Sequence, residues 1–155
     1  MFRYSLVYAL KDKDHALAQC IRSYANEFKL NAFTPHVTVR HSICFSEAKR
    51  IHCIFKENYK LPELSVLPSV HVTNTLLFNA NGKRVSFYSL EQPVLTNGIR
   101  VPGLHVSLAY KVGKAFTLHE MQGIRPYKGV LQRDDFELAI HSCHAKSPRF
   151  WRKVL

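Results

Sequence analysis

The sequence predicts an α+β fold built on antiparallel sheets, and three observations carry that expectation. Runs with strand and helix periodicity follow in the order strand, helix, strand, helix, and beyond that nearly every apolar run alternates as a strand does. Asn81-Gly82 falls between two strand-like runs, "LSVLPSVHVTNTLLF" and "RVSFYSL", and that dipeptide favours a tight antiparallel hairpin. Hydrophobic residues make up 46% of the 155, with no low-complexity tract, which suits a single domain over residues 1–155 with a core of its own.

Residues 2–10, "FRYSLVYAL", read as the first strand. A helix follows with Asp12 or Asp14 as its cap, because Leu17, Cys20, Ile21, Tyr24 and Phe28 then form one apolar stripe. Residues 34–43 are the next strand. "SEAKRIHCIFKENYK" predicts a second helix capped by Ser46, with Ala48, Ile51, Ile54, Phe55 and Tyr59 inward and Pro62 just beyond its end. The hairpin comes next. Pro93, Asn97, Gly98 and Pro102 make residues 91–102 read as a loop too short for a full helix, after which another strand begins near Leu104. "TLHE" at 117–120 has capping-box spacing for a short helix, and "DFELAIHSCHA" at 135–145 reads as a late strand before the basic tail "KSPRFWRKVL".

Lysine and arginine outnumber aspartate and glutamate by 22 to 11, a net charge of +11, so polyanions such as nucleic acid, nucleotides or an anionic membrane surface are the natural partners. No apolar run approaches the roughly 18 to 20 residues that a membrane-spanning helix needs, and the start lacks the pattern of a secretory signal. Cys20, Cys44, Cys53 and Cys143 are scattered without CxxC spacing, which favours reduced thiols. A cytoplasmic protein without a membrane partner is expected.

Within the strands, one pattern recurs: "TPHVTVRHS" at 34–42 and "GLHVSLAYK" at 103–111 each place a histidine two residues before a hydroxyl. Residues i and i+2 of a strand share a face, about 6.6 Å apart. His36 and Thr38 therefore point together, as do His105 and Ser107, while the intervening valines and leucine face a core. Two such strands side by side would bring two imidazoles and two hydroxyls to one spot. Phosphodiester cleavage needs a base for the attacking oxygen, an acid for the leaving oxygen and donors for the non-bridging oxygens. Histidine suits both proton transfers because its ordinary pKa is about 6.5, and each transfer is typically worth about 10² to 10⁴ in rate. A third tripeptide, His71-Val72-Thr73, sits in the first arm of the hairpin. The spacings of 35 and 34 between the three histidines do not indicate a repeat, because the first interval holds a helix and the second a hairpin.

The paired motifs "HVTV" and "HVSL", one after a first strand-helix unit and one in the second half, resemble those of the two-histidine (2H) phosphoesterase superfamily. The order of elements is similar over nearly the whole chain. The resemblance implies a bilobed fold, two antiparallel sheets flanked by helices with a central cleft, that works without a metal or other cofactor. It implies that His36 and His105 are catalytic and that Thr38 and Ser107 bind phosphate. It favours the pair His36 and His105 over any pair that uses His71, which is then either a half-exposed strand residue or a cleft-lining residue that contacts substrate. Family members usually carry a helix between the hairpin and the second motif, so the second lobe is expected to be trimmed here. Around the motifs, Arg40 lies at i+4 from His36, Lys111 shares the parity of His105 and Ser107, and Tyr110 is placed to stack on a base; these are candidate substrate contacts.

The expected activity is metal-independent cleavage of an RNA-type phosphodiester at a ribose 2' position. Within the superfamily, small viral members degrade 2',5'-linked oligoadenylate, the activator of a host antiviral ribonuclease, and the compact chain points first to that substrate. The alternatives are a 2',3'-cyclic phosphodiesterase or a 3'-exonuclease acting on RNA ends. A basic RNA-binding module without catalysis is the reading of another class. Zinc is the third: "HSCH" at 141–144 and His52-Cys53 offer ligands, without the spacing of a known zinc motif.

Overall fold

The computed structural model describes residues 4–58, 60–78, 81–142 and 152–155. The elements run β1 (Tyr4–Leu10), α1 (Ala16–Phe28), β2 (His36–Ile43), α2 (Phe45–Asn58), β3 (Leu64–Val66), β4 (His71–Phe78), β5 (Arg84–Thr96), β6 (Ile99–Val112), α3 (Leu118–Gly123), β7 (Phe136–Ser142) and β8 (Arg152–Lys153), with a 3-10 turn at Arg133–Asp135. The fold is α+β, as the order of periodicities predicts. No described helix is long and apolar enough to cross a membrane.

All described strand pairs are antiparallel and belong to one hydrogen-bonded sheet, ordered β3-β5-β6-β2-β1-β7-β8, with β4 also beside β5. Its two halves touch through a single registered pair, Val37 of β2 opposite Val106 of β6. One face carries the main core. Tyr8, Val37, Leu90, Val94, Val106 and Leu108 pack there against Leu17 and Ile21 of α1, while Leu6 and Ile140 pack against Ala48 and Ile51 of α2. Buried Gln92 ties this face to the chain beyond α3: its amide donates to the carbonyls of Leu67 and Tyr127 and accepts from the Tyr127 N–H. On the other face Val7, Ala9 and Ala139 form a small apolar floor.

Local expectations are met unevenly. The capping box of α3 forms, with Thr117 and Glu120 satisfying each other's backbone N–H groups. The cap of α1 is neither aspartate but His15, whose Nδ1 accepts from the Leu17 N–H; Asp12 instead closes a turn onto the Asp14 N–H. The second helix starts at Phe45, so Ser46 lies in its first turn, and Ile54 is 46% exposed where an inward residue was expected. Residues 91–102 are not a loop. β5 and β6 form one long hairpin whose two-residue turn is Asn97-Gly98, both at positive φ. Pro93 is accommodated because the ladder is irregular between Pro93 and Leu95. Tyr59, Cys143 and His144 lie outside the described residues, as does most of the basic tail.

Candidate active site

The Val37–Val106 pair sets the site. Extending its antiparallel register by one residue puts His36 opposite Ser107 and Thr38 opposite His105, so the two motifs face each other with near two-fold symmetry. Directly opposite side chains sit about 4.5–5.5 Å apart at Cβ. The two valines, both fully buried, point to the main core, and the four polar residues share the opposite face.

The histidines are anchored alike. Nδ1 of His36 donates to the Thr34 carbonyl at 2.8 Å, and Nδ1 of His105 donates to the Gly103 carbonyl at 2.7 Å. In each case the acceptor lies two residues upstream. This repeated contact fixes ring orientation and the position of one proton. Ser107 is 3% exposed, and its hydroxyl lies 3.1 Å from that of Ser89.

Two neighbours escaped the sequence reading. Glu91 of β5 pairs in register with Ser107, and its Oε1 lies 3.3 Å from His105 Nε2. His141 of β7, whose ring centroid is 5.3 Å from that of His36, is 5% exposed. Burial, then the charges of His36 and Lys153, push its imidazole down to about 4. Burial also holds His36 below the usual histidine range, the Thr34 carbonyl acts in the opposite sense, and the charge of His105 lowers it further. Glu91 falls in the stretch 91–102, which reads as a loop in sequence and so gives the side chain no face. In the sequence His141 stands out only as a candidate zinc ligand beside Cys143. Among the described residues no group of three or more His, Cys, Asp or Glu side chains is arranged to hold a metal ion.

A β-bulge follows each motif and reverses the parity by which Arg40 and Lys111 read as sharing the histidines' face. On β2, Val7 faces Thr38 but Leu6 faces Arg40, leaving Val39 as the extra residue. Arg40 thus shares the face of Leu6 and α2, where it pairs with Glu47 at 3.5 Å; it does not sit with His36. On β6, Glu91 faces Ser107 but Leu90 faces Ala109, leaving Leu108 extra. Lys111 therefore turns to the core face, where its ammonium meets Glu120 Oε1 at 2.6 Å. The expectation that Arg40 and Lys111 share the histidines' face is corrected on that ground. Tyr110 gains what Lys111 loses: it is in register with Ser89, on the site face, with Phe33 at 4.6 Å and Phe87 at 5.1 Å between ring centroids. His71 is exposed on β4, opposite Glu91. That puts it in the same cross-strand row as Ser107 and His36 but two strands from Ser107, at the rim.

Searches of protein-family models, curated proteins and solved structures give no match to this chain.

Proposed function

We propose that the chain is a metal-independent phosphodiesterase of the 2H type, acting on RNA-type phosphodiesters at a ribose 2' position, with 2',5'-linked oligoadenylate as the first substrate to test. The observation that supports it most is the symmetrical meeting of the two motifs. Two imidazoles anchored through Nδ1 to carbonyls two residues upstream, each beside the other motif's hydroxyl, are what in-line displacement at phosphorus requires. One Nε2 takes the proton of the attacking oxygen, water or a neighbouring ribose hydroxyl, and the other protonates the leaving oxygen. Thr38 and Ser107 donate to the non-bridging oxygens. When Ser89 donates to Ser107, the Ser107 proton is released to point at phosphate.

The resemblance implies two antiparallel sheets, whereas the described strands form one; what supports a bilobed reading is that its halves, β1-β2-β7-β8 and β3-β4-β5-β6, join through one registered pair. The aromatic group of Phe33, Phe87 and Tyr110 lies beyond the second motif on the same face, where a base attached to the bound phosphate would stack. A net charge of +11 supports recruitment of an oligonucleotide to the protein, and by itself also suits a binding module without catalysis.

The deciding assay offers 2',5'-linked oligoadenylate, its 3',5' isomer and a 2',3'-cyclic nucleotide in EDTA to wild type, His36→Ala, His105→Ala and His71→Ala. Cleavage of a 2'-linked substrate is expected, with rates down about 10² to 10⁴ in the 36 and 105 variants and nearly unchanged in the 71 variant. Preference for the cyclic nucleotide would move the substrate to RNA ends. Binding of RNA with no cleavage of any of the three, in all four proteins, would favour the non-catalytic module.

A further inference from the structure

We propose that Glu91 reads the ribose: its carboxyl group accepts a hydrogen bond from a free hydroxyl on the carbon next to the esterified one, so the site favours a linear ribose 2'-diester over a 2',3'-cyclic phosphate. The inference rests on the phosphodiesterase reading above and narrows the substrates that reading leaves open. Its ground is a carboxyl group standing beside the side chains assigned to phosphate.

Glu91 lies on the site face of β5, in register with Ser107 of β6. Directly opposite side chains are about 4.5–5.5 Å apart at Cβ, so a phosphate held by Ser107 brings its neighbouring substituents up to this carboxyl group. One oxygen, Oε1, lies 3.3 Å from His105 Nε2. That is the group's one partner among the described residues, because His71, in register on its other side, turns its ring to the Ser69 hydroxyl at 3.4 Å. The Glu91 side chain is 21% exposed, and neither of its oxygens is both buried and unpaired. Oε2 is therefore open to solvent and able to accept from a ligand.

A carboxyl group offers more lone pairs than protons, whichever of the facing atoms carries a proton. Set against a phosphate oxygen, a lone pair meets another acceptor; set against a hydroxyl, it meets a donor. In an RNA-type substrate the donor closest to the scissile phosphate is the free hydroxyl vicinal to it. A linear 2'-diester carries that hydroxyl at the 3' position, a 2',3'-cyclic phosphate has both oxygens bonded to phosphorus, and a deoxyribose diester lacks it. A site that bonds a substrate hydroxyl rejects the analogue without it, because the site's own polar group is left unpaired. Glu91 is open to water, so the expected factor is about tenfold, well below the 10⁴ or more of a sealed pocket. Linear 2',5'-linked oligoadenylate meets this requirement at every linkage.

The test is a cycle of dissociation constants, measured by calorimetry on His36→Ala so that ligand is not consumed, alone and combined with Glu91→Gln or Glu91→Ala. The ligands are 2',5'-diadenylate, the same dinucleotide with hydrogen in place of the 3'-hydroxyl of its 2'-linked ribose, and adenosine 2',3'-cyclic phosphate. With Glu91 present, loss of the hydroxyl should weaken binding about tenfold. The penalty should fall below about twofold in Glu91→Ala and lie between in Glu91→Gln, which keeps one acceptor oxygen in the same shape. The cyclic phosphate should bind at least as tightly once the carboxyl group is gone. An equal hydroxyl penalty in all three proteins, or a cyclic phosphate that loses affinity with the carboxyl group, overturns the assignment. With His36 intact, Glu91→Ala should lower the ratio of kcat/KM for the dinucleotide over the cyclic phosphate about tenfold, and an unchanged ratio counts against Glu91 equally. Cleavage by wild type without coupling between Glu91 and the hydroxyl leaves the phosphodiesterase reading standing and removes this one. Coupling without cleavage of any substrate by wild type does the reverse.

Discussion

His141 lends the site face an acid sensitivity that can be measured without any substrate. Its imidazole, pushed down to about 4, stays neutral in the fold, whereas the same side chain in the unfolded chain takes up a proton near 6.5. Between those values the unfolded state binds more protons, so stability rises with pH through that window. Lowering the pH from 6.5 toward 4 should remove on the order of 3 kcal/mol, and above 6.5 the contribution vanishes because both states are neutral. In urea melts at pH 7 and pH 4.5, wild type is expected to lose about 2 to 3 kcal/mol more than His141→Gln; equal acid losses in the two would mean that His141 is not held neutral. At this scale the motif residues were legible because a strand fixes what i and i+2 share. Glu91 and His141 were not, because each reaches its histidine only through a partner strand chosen by topology.

Turns and bulges decide where single elements aim their side chains. Asn97-Gly98 carries the same hairpin signal as Asn81-Gly82, yet nearby Pro93 and Pro102 made residues 91–102 read as a loop; a proline is tolerated where the ladder is already irregular. The bulges at Val39 and Leu108 leave no composition signal, and a parity rule carried across them assigns Arg40 and Lys111 to the wrong face. This correction has a measurable consequence at Lys111. Burial alone would raise the Glu120 carboxyl, but hydrogen bonds from Lys111 and Thr117 hold it below the usual range. Lys111→Met should leave that carboxylate without its cation and cost about 1 to 3 kcal/mol of stability, with kcat/KM on any accepted substrate within about twofold of wild type, since the residue lies on the other face. A large loss of activity with stability intact would return Lys111 to the substrate side. Because Glu120 is depressed in the fold, its contribution is present above the ordinary carboxylate range and fades as pH falls through its lowered value.

For the molecule as a whole, the sheet is continuous but its halves meet in one registered pair, and that pair lies directly behind all four motif residues. Val37 and Val106 are each flanked in sequence by a histidine and a hydroxyl residue, so a shift at the seam moves both imidazoles relative to the phosphate. Val94 supplies the control, being equally buried in the same core but away from the seam. Val→Ala at any of the three deletes similar apolar volume and should cost about 1 to 3 kcal/mol. Catalysis should separate them. A misplacement on the order of 1 Å is worth about 10² in rate when two groups must act on one phosphorus, so Val37→Ala and Val106→Ala are expected to lower kcat on a 2'-linked substrate at least tenfold more than Val94→Ala. The double seam variant should be less destabilised than the sum of the singles, because the two side chains are opposite one another and share a cavity once trimmed. Equal kcat losses at all three positions, with additive energies at the seam, would show that the halves hold each other by contacts other than this pair and that the site does not depend on it.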